Sequence, residues 1–197
     1  MGSSENYSIQ ALNLIDGLIA DYELTLKSIR RDDVTIKELK KLRFSINNRL
    51  RKISDIAEIK NDHTNNCFKL VVFNEEYNEL IFSELDELKL EYKLNGQFII
   101  IKKPKYNFNQ LMTIVDDVEK KKNRILSKCM KAKLDPVMRA KNALENEFID
   151  IAVQRETSNN CQKIFEQKEE RIDKITLEKI KMLLGKEFFD RYLEENS

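Results

Sequence analysis

Apolar seams near both ends of the chain constrain its fold more than any other feature. The first comprises Leu12, Ile15, Ile19, Tyr22, Leu26 and Ile29, and the second comprises Phe108, Leu111, Val115, Val118, Ile125 and Cys129. Spacings of three and four residues place such side chains along one stripe of an α-helix, which must be buried against other helices. A third seam runs from Cys161 to Leu184. The sequence therefore predicts three long helices that pack together.

The helix boundaries are predicted from proline, glycine and polar runs. Proline disfavours the helical conformation in the residue before it and lacks a backbone donor, so Asp135-Pro136 predicts a kink or an end in the second helix. The polar run at residues 155–160 predicts a break or an exposed turn before the last helix. Gly185 predicts the end of that helix.

The segment between the first two seams has a different sequence pattern. Residues 42–46 are strand-like, residues 53–59 predict a short helical turn, and residues 61–66 form a turn cluster. Residues 67–74 and 97–104 predict strands on either side of a helix at residues 75–90. The prediction is an α+β fold with an α/β, β-rich module at residues 32–104. It is inserted after the first helix of a three-helix bundle formed by residues 1–31 and 105–197.

Several kinds of site are not expected. Cys67, Cys129 and Cys161 are far apart, and His63, the one histidine, lies in a polar loop, so a zinc site is not predicted. The chain has no Ser-His-Asp set, Gly-rich phosphate loop or HExxH motif, so we expect neither a cofactor nor enzymatic activity. There is no run of 18 apolar residues, and the N-terminal residues do not resemble a secretory signal.

A basic stripe is predicted on the second helix. Between Lys120 and Lys141 there are nine Lys or Arg residues and one acid, Asp135, although the whole chain has a net charge of only +1. One helix face carries Lys121, Arg124, Lys128 and Lys131, which are three, four and three residues apart. Such a face predicts a polyanion-binding surface, with RNA as the commonest ligand, and the alternative is a solvated helix face.

Three features of the chain resemble the ribosome recycling factor family, in a divergent and organellar form. Residues 52–74 are similar to a family run that ends in a hydrophobic strand, where Val72, Phe73 and Asn74 fill the matching places. Residues 97–124 resemble the family's last module strand, proline-containing hinge and first return helix. The family-like positions there are Leu111, Ile114, Val115, Glu119 and Arg124. The order of the elements agrees with that of the family.

The resemblance implies an L-shaped, two-domain translation factor that is expected to be a monomer. It implies binding to the large-subunit RNA of the post-termination ribosome. With elongation factor G, which hydrolyses GTP, such a factor separates the subunits for a new round of translation. Lys128 and Lys131 stand where the family carries paired arginines that contact ribosomal RNA, so charge is kept and the bidentate geometry of arginine is lost.

One departure from the family pattern keeps other functions open. Residues 30–34 match a family Arg-Thr-Gly-Arg-Ala motif, in which Arg30 is retained as a predicted RNA contact while acids replace the glycine and the second arginine. The alternatives are a ribosome-binding paralogue in assembly or hibernation, or a helical protein-interaction adaptor. Divergence and the abundance of Lys, Asn and Ile favour the mitochondrial matrix, with another organelle or a bacterial cytoplasm as the alternatives.

Overall fold

The computed structural model describes residues 4–196, which divide into two compact units. The first unit combines the chain up to Arg30 with the chain from Met112 onwards, and the second is Arg31–Leu111. Across residues 4–196, no helix is sufficiently long and apolar to span a bilayer. The predicted α+β fold, with long bundled helices and a small β-rich part, is confirmed.

The first unit contains α1 (Ser4–Ser28), most of α4 (Phe108–Glu145) and α5 (Ile151–Glu195). Apart from half-buried Leu12, every residue of the first two predicted seams is buried. Helix α5 runs parallel to α1, since Tyr22 shares a 2.8 Å hydrogen bond with Thr176 and Lys168 Nζ lies 2.5 Å from Asp16. Helix α4 runs antiparallel to both, as the contacts of Arg139 with Gln10 and of Lys122 with Asp173 require.

The break between α4 and α5 differs from the prediction. Helix α4 does not end at Pro136 but continues to Glu145, because this proline is buried and removes only one backbone donor from a well-packed helix. The predicted break at residues 155–160 is also wrong, since these residues lie within α5. The chain instead leaves the helix at Glu147, which has a φ of 59°. It re-enters at Asp150, whose carboxylate accepts a 2.9 Å hydrogen bond from the Val153 amide.

The regular helix ends at Gly185, as predicted, and a second helical piece of α5 follows directly after a kink. The φ of 75° and ψ of 173° at Gly185 lie in a region that is essentially restricted to glycine. Helical structure then resumes as far as Glu195, and Phe189 in this last piece is buried. The tail beyond Gly185 is therefore an integral part of the first unit.

The second unit begins with α2 (Asp33–Lys41) and a hairpin of β1 (Arg43–Ile46) and β2 (Arg49–Lys52). The remaining strands form one antiparallel sheet in the order β3-β4-β6-β5: β3 (Ala57–Asp62), β4 (Cys67–Val72), β5 (Tyr92–Asn95) and β6 (Phe98–Lys102). Helix α3 (Asn78–Glu87) shares the core of the sheet. That core includes Leu39, Phe68, Leu70, Ile81, Leu85, Ile99 and Ile101.

The strands predicted at residues 42–46, 67–74 and 97–104 and the helix at residues 75–90 are confirmed as β1, β4, β6 and α3. The short turn predicted at residues 53–59 is only a single 3-10 turn, Ile53–Asp55, and β3 follows it. Strand β3 also takes in the first two residues of the predicted turn cluster, since it pairs with β4 as far as Asp62. Elements α2, β2, β3 and β5 were not predicted.

We expect Gly185→Ala to destabilise the protein by roughly 1–3 kcal/mol, because a Cβ is strained in this backbone conformation. The matched control is Gly17→Ala in the middle of α1, where an added Cβ meets no atom within 4 Å. Alanine there should raise the free energy of unfolding by about 0.5–1 kcal/mol. Urea denaturation of both variants checks this, and equal effects would contradict it.

Candidate nucleic-acid interface

The cations of α4 differ in their partners, and some, such as Arg139, pair with an acid of the same helix. Those that face α5 are engaged within the protein. Lys122 Nζ lies 2.8 Å from Asp173, and this hydrogen bond raises the pKa of Lys122. Lys133 Nζ donates a 2.8 Å hydrogen bond to Gln162 and lies 4.8 Å from the centre of the Phe165 ring. These two lysines hold α4 against α5.

The predicted basic stripe lies on the side of α4 next to α1. Lys121 is half-buried, while Arg124, Lys128 and Lys131 are exposed. Throughout residues 4–196, none of these four side chains has a carboxylate within ion-pair distance. The four cations of the stripe are therefore available to an anionic ligand, in contrast to the cations that face α5.

Three members of the stripe line a groove between α4 and α1, which we call the α1–α4 groove. It has a volume of about 180 Å³ and is lined by Leu18, Asp21, Tyr22, Thr25, Lys121, Arg124, Ile125 and Lys128. Lys131 lies about one turn further along α4 and is not part of the lining. The one carboxylate in the groove is that of Asp21, which leaves the groove with an excess of positive charge.

Arg30 is placed differently from the stripe. It is exposed just after α1, takes part in an interaction within the protein, and does not line the α1–α4 groove. The structure thus groups Lys121, Arg124 and Lys128 but does not add Arg30 to them. A role in RNA binding stays a prediction for all five residues.

Sequence reasoning missed an ion pair at the start of the second unit. The carboxylate of Asp32 lies 2.6 Å from Lys103 Nζ and accepts a 3.3 Å hydrogen bond from Asn61. Only 9% of the Lys103 side chain and 21% of the Asp32 side chain are exposed. Close by, Thr35 and Tyr106 share a 3.0 Å hydrogen bond. The acid at position 32 therefore joins the beginning of this unit to the segment near its end.

The cysteines have no ligand role that the structure supports. All three are buried and unbridged, and burial raises the pKa of the Cys129 and Cys161 thiols. Among residues 4–196 no group of three or more His, Cys, Asp or Glu side chains could hold a metal ion. The basic stripe on α4 is the arrangement with the clearest capacity to bind a ligand.

Comparison with solved structures identifies the fold. A solution structure of the ribosome recycling factor matches 94% of this chain and 100% of its own chain, with a TM-score of 0.50 and 14% sequence identity. The chain has a ribosome recycling factor-like fold. A second match comes from models of the T. thermophilus ribosome recycling factor and the E. coli elongation factor G bound to the E. coli post-termination complex. It covers 93% of this chain and 100% of that chain, with a TM-score of 0.50 and 12% identity. No protein-family model and no curated protein matches the sequence.

We expect Asp32→Ala to destabilise the protein by about 3 kcal/mol, because it leaves the largely buried ammonium of Lys103 unpaired. Lys103→Met should have a similar effect by stranding the carboxylate. The double variant should be more stable than the sum of the single effects implies, and a double-mutant cycle of urea unfolding measures this coupling. Strict additivity would show that the two charges do not interact.

Proposed function

We propose that this protein is a ribosome recycling factor. It binds the large-subunit RNA of the post-termination ribosome through the basic stripe of α4. With a GTPase of the elongation factor G type, it then promotes separation of the subunits. The observation that carries the proposal is a recycling-factor-like fold over 94% of the chain combined with an unpaired basic stripe on α4. The proposed compartment is the mitochondrial matrix, on compositional grounds alone.

The physics of the stripe supports the binding step. A cation without an internal partner can contact a phosphate without breaking a bond inside the protein, and each contact releases counterions from the RNA. Four such contacts predict an affinity that falls with salt with a log-log slope of roughly −3. Lys128 and Lys131 would act as point charges, so they give attraction and less orientation than arginines would.

In this proposal the chain is a binding protein and not an enzyme. The energy for subunit separation comes from GTP that the partner hydrolyses. The residues of this chain position the binding surface. The contacts of Lys122 and Lys133 with α5 fix the orientation of α4, and so the direction in which the stripe faces.

A second candidate, a ribosome-binding paralogue without splitting activity, is favoured by one observation. The acid at position 32 replaces a glycine of the family motif and is committed to the ion pair with Lys103. The chain therefore departs from the family motif in sequence, and the acid at this position has a structural role here. An assay of subunit splitting with the GTPase distinguishes the two candidates, since only the recycling factor accelerates splitting.

The proposal is tested by reversing the charge of the stripe with Arg124→Glu, Lys128→Glu and Lys131→Glu. Co-sedimentation with ribosomes and isolated large subunits across a salt series should show salt-sensitive binding of the wild-type protein. The triple variant should bind much more weakly, with the slope reduced by roughly 2. A helical adaptor whose lysines are only solvated would show no such binding.

The matched control for this experiment reverses three exposed lysines of α5 with Lys163→Glu, Lys174→Glu and Lys186→Glu. It makes the same change in net charge, so its binding should stay near that of the wild-type protein. Absence of wild-type binding even at low salt, or an equal loss in both triple variants, would overturn the proposed role of the stripe.

A further inference from the structure

The hairpin of β1 and β2, here called the basic ribbon, forms a second cluster of cations together with the end of α2. Residues 39–54 contain six Lys or Arg residues and no acid, although the whole chain has a net charge of only +1. The cations are Lys40, Lys41, Arg43, Arg49, Arg51 and Lys52. All of β2, Arg49–Lys52, is exposed. This is a concentrated positive surface on the second unit, apart from the stripe on α4.

The basic ribbon has a fixed register. Its strands pair from Arg43 with Lys52 to Ile46 with Arg49. The turn between them has positive φ at both central residues, 51° at Asn47 and 59° at Asn48, which suits a two-residue hairpin and which asparagine tolerates. Phe44, only 3% exposed, anchors the ribbon in the core of the unit. The cations of β2 therefore have defined positions.

Arg43 has a structural role and is not part of the proposed site. Its Nη1 donates hydrogen bonds to the carbonyl oxygens of Lys40 and Lys41, both at 3.0 Å, and of Leu42 at 2.9 Å. These carbonyls end α2, where the helix has no internal donors left. Arg43 thus joins the base of the ribbon to α2.

Arg49 and Arg51 point to the same side of the ribbon because side chains alternate along a strand. They line a cavity of about 510 Å³ together with Ile46, Asn47, Asp55, Ile56 and Tyr77. Within residues 4–196 neither arginine has a carboxylate within ion-pair distance. The Asp55 carboxylate already accepts a 2.9 Å hydrogen bond from the Lys52 amide. Two exposed guanidinium groups therefore face an open cavity whose one carboxylate, that of Asp55, forms an ion pair with neither of them.

We propose that Arg49 and Arg51 bind two neighbouring phosphates of a single-stranded RNA segment. Residues two apart on a strand are separated by about 7 Å, which suits successive phosphates of an extended chain. The planar fork of arginine donates two parallel hydrogen bonds to a phosphate. Apart from Ile46, Ile56 and the Tyr77 ring, the lining is polar, so an amphipathic protein segment would find little apolar surface to bury.

This inference deepens the proposed function, on which it rests for the choice of RNA as the polyanion. It gives the protein two separate RNA-binding surfaces, one on each unit. Two linked weak contacts raise the overall affinity through effective concentration when both sites can be occupied together. The ribbon site would therefore add to the affinity for the ribosome.

The test uses the full chain and a fluorescently labelled oligouridylate, whose binding is followed by anisotropy across a salt series. All variants carry the Arg124→Glu, Lys128→Glu and Lys131→Glu background, which reverses the charge at three of the four positions of the α4 stripe and holds its contribution constant across the series. Arg49→Glu with Arg51→Glu should lower the affinity at the lowest salt by about tenfold and reduce the slope by roughly 1.4. Arg49→Lys with Arg51→Lys should keep the slope and lose affinity by a few fold, because charge remains while the fork is lost.

The matched control is Lys93→Glu with Lys105→Glu, two exposed lysines of the same unit. It should bind the oligouridylate like the background protein. Thermal unfolding of each variant checks that the fold is retained. If the arginine variant matches this control in affinity and slope, the ribbon site is overturned. It is also overturned if polyglutamate binding depends on the two arginines and oligouridylate binding does not.

This readout is independent of the ribosome experiment. Failure of the α4 triple variant to change co-sedimentation would count against the proposed function. The oligouridylate titration would still measure the ribbon directly. The two proposals can therefore fail separately.

Discussion

The contact between α1 and α5 is the interaction on which the first unit depends. The buried side chains of Ile15, Ile19 and Tyr22 need apolar cover that α1 cannot supply by itself. The hydroxyl of Tyr22 also needs a polar partner in the bundle, and Thr176 provides it from 154 residues away. Burial raises the pKa of Tyr22 above its ordinary value. The first unit therefore closes only when distant parts of the chain meet, whereas the second unit is a continuous segment.

This packing also decides which cations of α4 remain for a ligand. Helix α5 presents Asp173 and Gln162 to Lys122 and Lys133, so the cations on that face serve the bundle. Helix α1 presents one carboxylate, Asp21, to the α1–α4 groove. The uneven distribution of acids between α1 and α5 gives one charged helix two different faces. A basic sequence run thus contains both structural and unpaired members, and only the neighbouring helices separate them.

The sequence predicted those parts whose signal is local. The seams of α1 and α4 are visible because burial repeats with the helical period. Strands β4 and β6 are visible because their central positions are apolar. Strand β2 was missed because all four of its residues are exposed, so only its pairing with β1 defines it. Strand β3 was missed for a related reason, since Ile59 gains its strand character from its partner Leu70.

The candidate site shows the same division. Spacing along α4 placed the stripe on one face, but the facing residues of α1 lie about 100 positions away in the chain and could not be predicted. The partner of Asp32, Lys103, is 71 residues away in the sequence. The sequence therefore showed an acid in place of an expected glycine and gave no sign of the ion pair. Pro136 looked like a break because sequence does not show that its surroundings are buried.

The ion pair between Asp32 and Lys103 has a consequence for how this chain is put together. It joins the first residues of the second unit to the segment that follows β6. The hydrogen bond between Thr35 and Tyr106 joins the same two segments a second time. A domain whose two ends lie close together can be inserted into another domain without disrupting the packing of that domain. The second unit is therefore an insertion whose two ends are held together by its own contacts. Because the second unit has its own core, substitutions on its surface, including the basic ribbon, need not disturb the packing of the first unit.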